Sequence, residues 1–245
     1  MFSRHKEEKV KKYTASAVIV AAGSGTRMQE ASGDTRKQFM LIDGNPVIAY
    51  TIRAYEKAES IDEIVIVARE DEILLMSDVV KEYEFSKVTK IIKGGETRTE
   101  SVQNGIYEVS ASAKIVAIQD GARPFVKPEK INAAVEAANT YGAAALGVPV
   151  KDTLKKVKEN GLIAETVDRN GLYAIQTPQV FNLEKFKTAL ALSIKDNSSL
   201  TDDCQIFERI GLPVQVVEGD YDNIKITYPS DLPVAEGIVE GMKNV

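Results

Sequence analysis

The sequence predicts an α/β protein: one mostly parallel central sheet with helices on both faces. Three observations predict it. Short runs rich in Val and Ile, such as 64–67, alternate with helix-length amphipathic stretches, which is the rhythm of parallel βαβ units. The runs are continuously apolar, as in strands buried on both faces. Loops rich in Gly, Asp and Arg follow three of them, at 23–27, 94–101 and 120–124, and ligands of such sheets gather beyond the carboxyl ends of the strands.

The chain is organised around 16–28, Ser-Ala-Val-Ile-Val-Ala-Ala-Gly-Ser-Gly-Thr-Arg-Met. Residues 17–22 have the β-branched content and length of a buried strand. Gly23 and Gly25 lack a Cβ, so the backbone there turns sharply and approaches a ligand closely. Successive N–H groups in such a turn form an anion-binding concavity. Arg27 adds a planar cationic fork suited to phosphate. These residues point to a nucleoside triphosphate; the plainer reading is a turn from strand to helix with Arg27 in solvent.

The polar segment 29–37 reads as a loop able to fold over a ligand, and mobility is expected for 24–37 before nucleotide binds. Residues 38–41 read as a short extended piece, Asp43-Gly44 as a turn, and Pro46 as the first residue of a helix to about 59. A strand at 61–68, a helix at 71–83 and a strand at 88–92 follow. After the second glycine turn, 94–98, come a helix at 97–109 and a strand at 114–119 that runs into Asp120-Gly121-Ala122-Arg123-Pro124. A helix at 128–141 and a strand at 143–150 continue the rhythm.

The rhythm then breaks. Residues 152–166 alternate imperfectly about Asn160-Gly161, a hairpin signal. A two-stranded ribbon is barely stable alone, so this arm, about 150–168, is expected to pack on a second subunit. Gln176 to Phe181 returns the chain to the body, and 183–192 is helical. Leu200 to Asp203 opens another helix with Thr201 or Asp202 as N-cap. A strand at 214–218, a turn and short strand at 222–227 and an amphipathic helix from Pro229 complete the chain. Residues 15–245 thus read as one domain with an inserted arm, and 1–14 as a disordered tail. No internal repeat is present.

At 245 residues, 44% hydrophobic and 27% charged, the composition is that of a globular protein with a sizeable core. A net charge of −5 argues against broad nucleic-acid binding but allows a local basic pocket for a phosphorylated small molecule. The single cysteine, Cys204, excludes an intrachain disulfide, suits a reducing cytoplasm and reads as a small buried hydrophobe. With His5 the only histidine, a structural zinc site lacks ligands. No apolar run reaches membrane-spanning length. The first twelve residues lack the apolar segment of a secretory signal.

The glycine turn matches neither the P-loop nor the dinucleotide fingerprint. Its likeness lies elsewhere. Ala21-Ala22-Gly23-Ser24-Gly25-Thr26-Arg27-Met28 followed by Lys37-Gln38-Phe39 resembles the signature of sugar and polyol phosphate nucleotidyltransferases. Further motifs are Gly94-Gly95-Glu96-Thr97-Arg98-x-x-Ser101-Val102, Asp120-Gly121-Ala122-Arg123-Pro124 and Val150-Lys151-Asp152-Thr153. Val167-Asp168-Arg169, Gln176-Thr177-Pro178-Gln179, Thr201-Asp202-Asp203 and Asn223-Ile224-Lys225-Ile226-Thr227 follow. Their order resembles the 2-C-methyl-D-erythritol 4-phosphate cytidylyltransferases of the non-mevalonate isoprenoid pathway, from about residue 15 to the C-terminus. Gln119 stands where that family often has His, and Glu96 where it can have Asp.

The resemblance implies a Rossmann-like nucleotidyltransferase fold with a protruding β-hairpin dimerisation arm. It implies transfer of CMP from CTP to 2-C-methyl-D-erythritol 4-phosphate with release of diphosphate. The attacking phosphate is already anionic, so no general base is required, and cationic clamping carries the reaction. Two rival readings stay open: a ribitol 5-phosphate cytidylyltransferase, and a CTP-binding regulator without catalysis.

Carried over residue by residue, the resemblance assigns Arg27 and Lys37 to the triphosphate and its developing charge. It assigns Lys225 to the α-phosphate and the attacking phosphate. Ala21, Ala22, Gly23, Ser24, Gly25, Thr26, Asp120 and Gly121 bind nucleotide, and Gly95, Glu96 and Ser101 read cytosine. Asp120 holds Mg2+, with Asp222 a candidate second carboxylate. Arg123, Thr153, Arg169, Thr177, Thr201, Asp222 and Lys225 bind the acceptor. Thr153 and Arg169 lie on or beside the arm, so the acceptor phosphate is expected to be gripped across a homodimer interface.

Plainer roles compete: Lys37 in solvent, Asp120 capping a turn, Ser101 on a helix surface, Arg123 in an ion pair, Asp202 and Asp203 capping a helix. Lys225 is expected inside an apolar strand, where an unpaired lysine is costly and a bound anion is favoured. A cytoplasmic enzyme without nucleic-acid or membrane partners is the expectation.

Overall fold

Strands that are apolar on both faces need cover on both faces, and this governs the architecture. The computed structural model describes residues 14–23, 25, 36–195 and 200–243. The strands in chain order are β1 (Ala15–Val20), β2 (Leu41–Ile42), β3 (Asn45–Pro46), β4 (Glu63–Ala68), β5 (Val88–Lys93), β6 (Ile115–Asp120), β7 (Ala143–Pro149), β8 (Leu154–Val157), β9 (Ile163–Val167), β10 (Tyr173–Asn182) and β11 (Gln215–Glu218). The helices are α1 (Val47–Lys57), α2 (Ile73–Glu82), α3 (Arg98–Glu108), α4 (Pro128–Tyr141), α5 (Leu183–Lys195), α6 (Cys204–Arg209) and α7 (Asp231–Lys243). Lys37–Phe39 and Glu70–Glu72 are short 3-10 turns.

Seven strands form one sheet in the order β11-β7-β10-β6-β1-β4-β5. Strands β6, β1, β4 and β5 are mutually parallel, β11 parallels β7, and β10 runs antiparallel to both neighbours. Along β1, Ala15, Ala17 and Ile19 join the core beneath α1, α2 and α4, while Val18 joins the opposite core beneath α3, α5 and α6. Ile64 and Ile66 of β4 likewise face away from Val67. Burying each such Val or Ile contributes about 1.5–3 kcal/mol, so both faces of the central strands supply folding energy. Helix α3 lies so close to the sheet that a Cβ on Gly105 would fall 2.3 Å from Val18 Cγ1. That contact explains a mid-helix glycine, which otherwise costs about 1 kcal/mol.

Register sets the site. Val20 pairs with Val67 on one side and Asp120 on the other, and Ala68 pairs with Lys93. The carboxyl ends of β1, β4, β5 and β6 therefore finish together, and the loops after them converge.

Several boundaries differ from expectation. Pro46 lies in β3 and precedes α1 in extended backbone instead of starting the helix. Residues 37–39 form a 3-10 turn before β2. The helix expected from 200–203 starts at Cys204, with Asp203 at the N-cap position making no capping bond. Strand β10 is longer than 176–181, and its pairing with β7 shifts register between Ile175 and Gln179.

The strand expected within 222–227 is absent; the segment is a loop. Its Ile226 N–H donates to the Ala122 carbonyl (2.8 Å), and Ile224 and Ile226 pack with Ile42, Val47 and Phe125 in a third core cluster beside α7. The apolar alternation there serves that cluster, not a sheet ladder.

The expected hairpin is present. Strands β8 and β9 pair antiparallel as a separate two-stranded sheet, and Leu154, Val157, Leu162 and Ile163 are exposed on it. Gly161 in its turn has φ +82°, which glycine adopts without strain. Among the described residues no helix is long and apolar enough to cross a membrane. Of the expected tail 1–14, all but Thr14 lies outside the described residues, and so does most of loop 24–37.

Candidate active site

The converging loops enclose a cleft of about 750 Å³. It is lined by 20–23, Lys37, Gln38, 69–71, 93–98, Ser101, 120–122 and Lys225. All three glycine-containing loops singled out in the sequence contribute. Ser24, Thr26 and Arg27 lie outside the described residues.

Asp120, 8% exposed, forms the floor at the end of β6. Lys225 Nζ lies 2.6 Å from its Oδ2, Arg98 Nε 3.3 Å from its Oδ1, and Arg123 Nε 3.8 Å from Oδ2. Its backbone N–H donates to Thr177 Oγ1 (3.1 Å). Burial opposes its charge, but Arg98, Lys225 and Arg123 outweigh that and hold its pKa down at about 2. Asp120 is therefore ionised at neutral pH and does more than cap a turn.

Lys225 has a protein partner, contrary to expectation. It stands on a loop rather than in an apolar strand, half-buried, with Asp120 as counter-ion. The cost of burying an unpaired lysine does not arise, so burial alone gives no argument for a bound anion.

Arg98 and Asp203 form a forked ion pair at the edge of the cleft that no local sequence pattern signals. Arg98 Nη1 and Nη2 donate to Asp203 Oδ1 and Oδ2 at 3.0 and 2.8 Å, while Nε faces Asp120. The only sequence signal was the place of both residues in the ordered motifs. Asp203 serves Arg98; Asp202 accepts from the Gln205 N–H (3.2 Å) and from Gln179 Nε2 (3.1 Å). Three cations, Arg98, Arg123 and Lys225, thus surround two carboxylates, an arrangement that favours a polyanion above it.

The floor is strapped from below by α1. Tyr55 O–H donates to Gln119 Oε1 (3.0 Å), Gln119 Nε2 donates to the Arg123 carbonyl (3.3 Å), and Thr51 O–H donates to the Gly121 carbonyl (3.0 Å). A neutral amide at 119 can accept from the phenol and donate to the turn at once.

The second glycine turn is built around Ser101 and Glu100. Ser101, 2% exposed, donates to the Thr97 carbonyl (2.9 Å) and accepts from the Gly95 N–H (3.1 Å), so it is no surface residue. Thr97 and Glu100 make a capping box on α3, and Glu100 Oε2 also accepts from the Glu96 N–H (2.8 Å). The two glycine turns touch: a Cβ on Gly94 would fall 2.4 Å from Ala22 Cβ.

The remaining expected acceptor residues divide. Arg123 and Thr177 gather around Asp120 beneath the cleft surface, with Arg123 Nη1 donating to the Asn223 carbonyl (2.8 Å). Thr201 is exposed and accepts from Gln205 Nε2 (2.7 Å). Asp222 is exposed and outside the lining. Thr153 and Arg169 are exposed on the arm, where Arg169 donates to the Lys151 carbonyl, and neither lines this cleft.

Among the described residues no group of three acidic, His or Cys side chains is gathered for a metal. Of the four carboxylates in the lining, Glu70 pairs with Lys93 and Asp71 with Arg69, Glu96 stands on the second glycine turn, and Asp120 is the one on the floor. That donor set does not fit a metal caged by protein alone. It fits a hard cation such as Mg2+, which takes one or two carboxylates and completes its shell with phosphate oxygens and water. The described lining carries five cations, Lys37, Arg69, Lys93, Arg98 and Lys225, equipment suited to holding anions.

The chain was compared with known proteins. The family described as 2-C-methyl-D-erythritol 4-phosphate cytidylyltransferase matches residues 15–241. A protein of that name from Caldanaerobacter subterraneus subsp. tengcongensis is 48% identical over 222 residues, covering 90% of this chain and 96% of the relative. One from Clostridium novyi (strain NT) is 44% identical over 228 residues, covering 93% and 97%. Among solved structures, 4-diphosphocytidyl-2C-methyl-D-erythritol synthase from Anaerococcus prevotii DSM 20548 superposes with a TM-score of 0.83 at 29% identity, covering 93% of this chain and 96% of that one. The 2-C-methyl-D-erythritol 4-phosphate cytidylyltransferase of Thermus thermophilus gives 0.75 at 28% identity, covering 93% and 99%.

Proposed function

This chain belongs to the 2-C-methyl-D-erythritol 4-phosphate cytidylyltransferase family, and we propose from that premise how its cleft performs the family's reaction. It is a nucleotidyltransferase that transfers the cytidylyl group of CTP to 2-C-methyl-D-erythritol 4-phosphate. The products are 4-(cytidine 5'-diphospho)-2-C-methyl-D-erythritol and diphosphate.

An acceptor phosphate oxygen forms a bond to the α-phosphorus of CTP. The bond from that phosphorus to the oxygen bridging the β-phosphate breaks, and diphosphate leaves with the electron pair. A phosphate monoester has its second pKa near ~6, so the nucleophile is charged at neutral pH without a base. The obstacle is repulsion between polyanions: two unit charges ~4 Å apart repel by roughly 4 kcal/mol at an effective dielectric of 20.

Cations placed in advance lower that cost. Arg27 and Lys37 hold the triphosphate beside the first glycine turn, and Lys225 exchanges Asp120 for the α-phosphate and the incoming phosphate. Arg98 and Arg123 keep Asp120 ionised and fixed. Asp120 would hold Mg2+ together with phosphate oxygens; the ion supplies charge neutralisation when bound.

Ser101 supports the reading of cytosine. Its proton is committed to the Thr97 carbonyl and one lone pair to the Gly95 N–H, so what it has left for the cleft is one lone pair. A lone pair accepts from the 4-amino group of cytosine and has nothing to offer the 4-oxo group of uracil. Thr153 and Arg169 serve the acceptor of the partner subunit's site in a homodimer joined through the arm, and the enzyme works in the cytoplasm.

The observation that carries this reading is the cluster of Lys225, Arg98 and Arg123 around Asp120 at the level where the glycine turns meet. The test is diphosphate release from CTP and Mg2+ with methylerythritol phosphate, and in parallel with ribitol 5-phosphate. Release with the first is expected, together with loss of at least about 100-fold in Lys225→Ala, and in Lys37→Ala at unchanged melting temperature. Wild-type turnover in either variant overturns the assigned roles, and preference for ribitol 5-phosphate overturns the acceptor.

A further inference from the structure

A buried carboxylate behind the cleft wall has no part in the chemistry above. Glu72 ends the 3-10 turn that follows β4 and is 5% exposed. Its Oε2 accepts from Gln38 Nε2 at 2.6 Å, and the same amide group donates to the Ala21 carbonyl at 3.1 Å. Its Oε1 accepts no hydrogen bond but lies 3.5 Å from Arg36 Nε and 3.9 Å from Arg69 Nε. Burial pushes the Glu72 carboxyl up, against the pull of Gln38, Arg36 and Arg69.

A carboxylate this deep is costly unless paired, and an apolar side chain would fill the space at lower cost. Its partners show what the charge accomplishes. Arg36 and Gln38 are the residues immediately before and after Lys37. One carboxylate therefore grips the chain on both sides of the lysine that lines the cleft. Gln38, 1% exposed, also ties that stretch to the end of β1, where the first glycine turn begins. The Lys37 side chain runs past that turn: its Cγ lies 3.6 Å from where a Cβ on Gly25 would stand.

We propose that Glu72 is a positioning residue for Lys37, fixing the lysine against the first glycine turn so that it meets the triphosphate in one geometry. The proposal rests on the reading of Lys37 as a phosphate clamp. It has a physical motive: clamping works only at short, fixed distances, and a misplacement of ~1 Å can cost about 100-fold in rate.

The test uses the full chain with Mg2+ and saturating methylerythritol phosphate, with CTP varied up to saturation. Turnover, KM for CTP and melting temperature are measured for Glu72→Ala, Glu72→Gln, Lys37→Ala and the Lys37→Ala/Glu72→Ala double variant. Lys37→Ala is expected to lose at least about 100-fold in kcat, and Glu72→Ala about 10- to 100-fold. Glu72→Gln keeps an acceptor for Gln38 but not the charge for Arg36, and falls between Glu72→Ala and wild type. The double variant should be no slower than Lys37→Ala, because Glu72 acts through that lysine.

A role in stability alone would give the same loss in both backgrounds, so multiplicative losses overturn the proposal. Wild-type kcat in Glu72→Ala beside a dead Lys37→Ala overturns the positioning role and leaves the Lys37 reading standing. Wild-type kcat in Lys37→Ala overturns the Lys37 reading, and the proposal with it. Should Glu72→Ala not fold, Glu72→Gln alone and combined with Lys37→Ala gives the same comparison.

Discussion

Lys225 and Asp120 meet across the floor of the cleft, Nζ to Oδ2 at 2.6 Å. They lie far apart in sequence, one on a loop before α7 and one at the end of β6 near the middle of the chain. Before nucleotide arrives, each neutralises the other. On the proposed function, an entering triphosphate would give Lys225 a stronger anion, and Asp120 would keep Arg98 and Arg123 as partners while offering an oxygen to a cation. The pair thus stores the site's cations without leaving an unpaired buried charge.

Replacing Asp120 by Asn tests this arrangement in two ways. Turnover should fall about 100-fold or more, because three cations lose their common counter-ion and the phosphates lose a preorganised floor. Stability should also lose part of its acid dependence. The folded pKa of Asp120, about 2, lies below its ordinary 3.8. Its contribution is therefore complete above about pH 4 and vanishes as pH falls through 2, a difference of about 2 kcal/mol. Urea unfolding from pH 6 down to pH 2 should show a shallower decline for Asp120→Asn than for wild type. Parallel curves would count against the shift.

The Arg98–Asp203 fork makes a separate prediction. Arg98→Ala leaves Asp203, 3% exposed, without its partner. Removing one member of a buried pair costs about 3–5 kcal/mol, and the partial exposure of Arg98 puts the expectation at the lower end. Arg98→Lys keeps the charge but loses the fork and should recover only part of the loss. In a double-mutant cycle, Arg98→Ala with Asp203→Asn should be less destabilised than the sum of the single variants. Additive losses in thermal or urea unfolding would show that the pair is not coupled.

These contacts also mark what the sequence could convey. The central strands were legible because burial on both faces writes itself as local Val and Ile runs. The three ligand loops were legible because Gly, Asp and Arg after a strand have few other uses. The arm was legible through Asn160-Gly161, whose glycine supplies the positive φ of the turn. Partnerships were not. Arg98 finds Asp203 105 residues away, and Glu72 finds Gln38 34 residues away, at distances no periodicity encodes. Ile224 and Ile226 alternate as a strand would, yet their side chains serve a core beside α7, so Lys225 was placed on the wrong kind of element. Ser101 lines the cleft, but the direction of its proton depends on the Thr97 carbonyl one helical turn away.

That direction predicts a specificity change. On the proposed reading Ser101→Ala removes the one lone pair left for a 4-amino group, and it also removes the acceptor that holds the Gly95 N–H. KM for CTP should rise, and the ratio of kcat/KM for CTP over UTP should fall about 10- to 100-fold, since losing one polar reader of a base edge costs discrimination more than chemistry. The ratio is measured by diphosphate release with each nucleotide. An unchanged ratio with a raised KM for both would assign Ser101 to loop support alone.

The arm yields the last prediction. Leu154, Val157, Leu162 and Ile163 are exposed on a hairpin that forms a separate two-stranded sheet, and Thr153 and Arg169 lie there, outside the described cleft lining. If each site takes Lys37 from one protomer and Arg169 from the other, two inactive variants can repair each other. Lys37→Ala and Arg169→Ala proteins, each inactive, are mixed in equal amounts and refolded together. Half of the dimers are then mixed, and each mixed dimer holds one site with both residues intact, so about a quarter of wild-type turnover should return. A site built from one protomer would return nothing, because every chain in the mixture carries one defect. Sedimentation velocity on the same mixture checks that dimers have formed, and a monomer at assay concentration would remove the basis for a shared site.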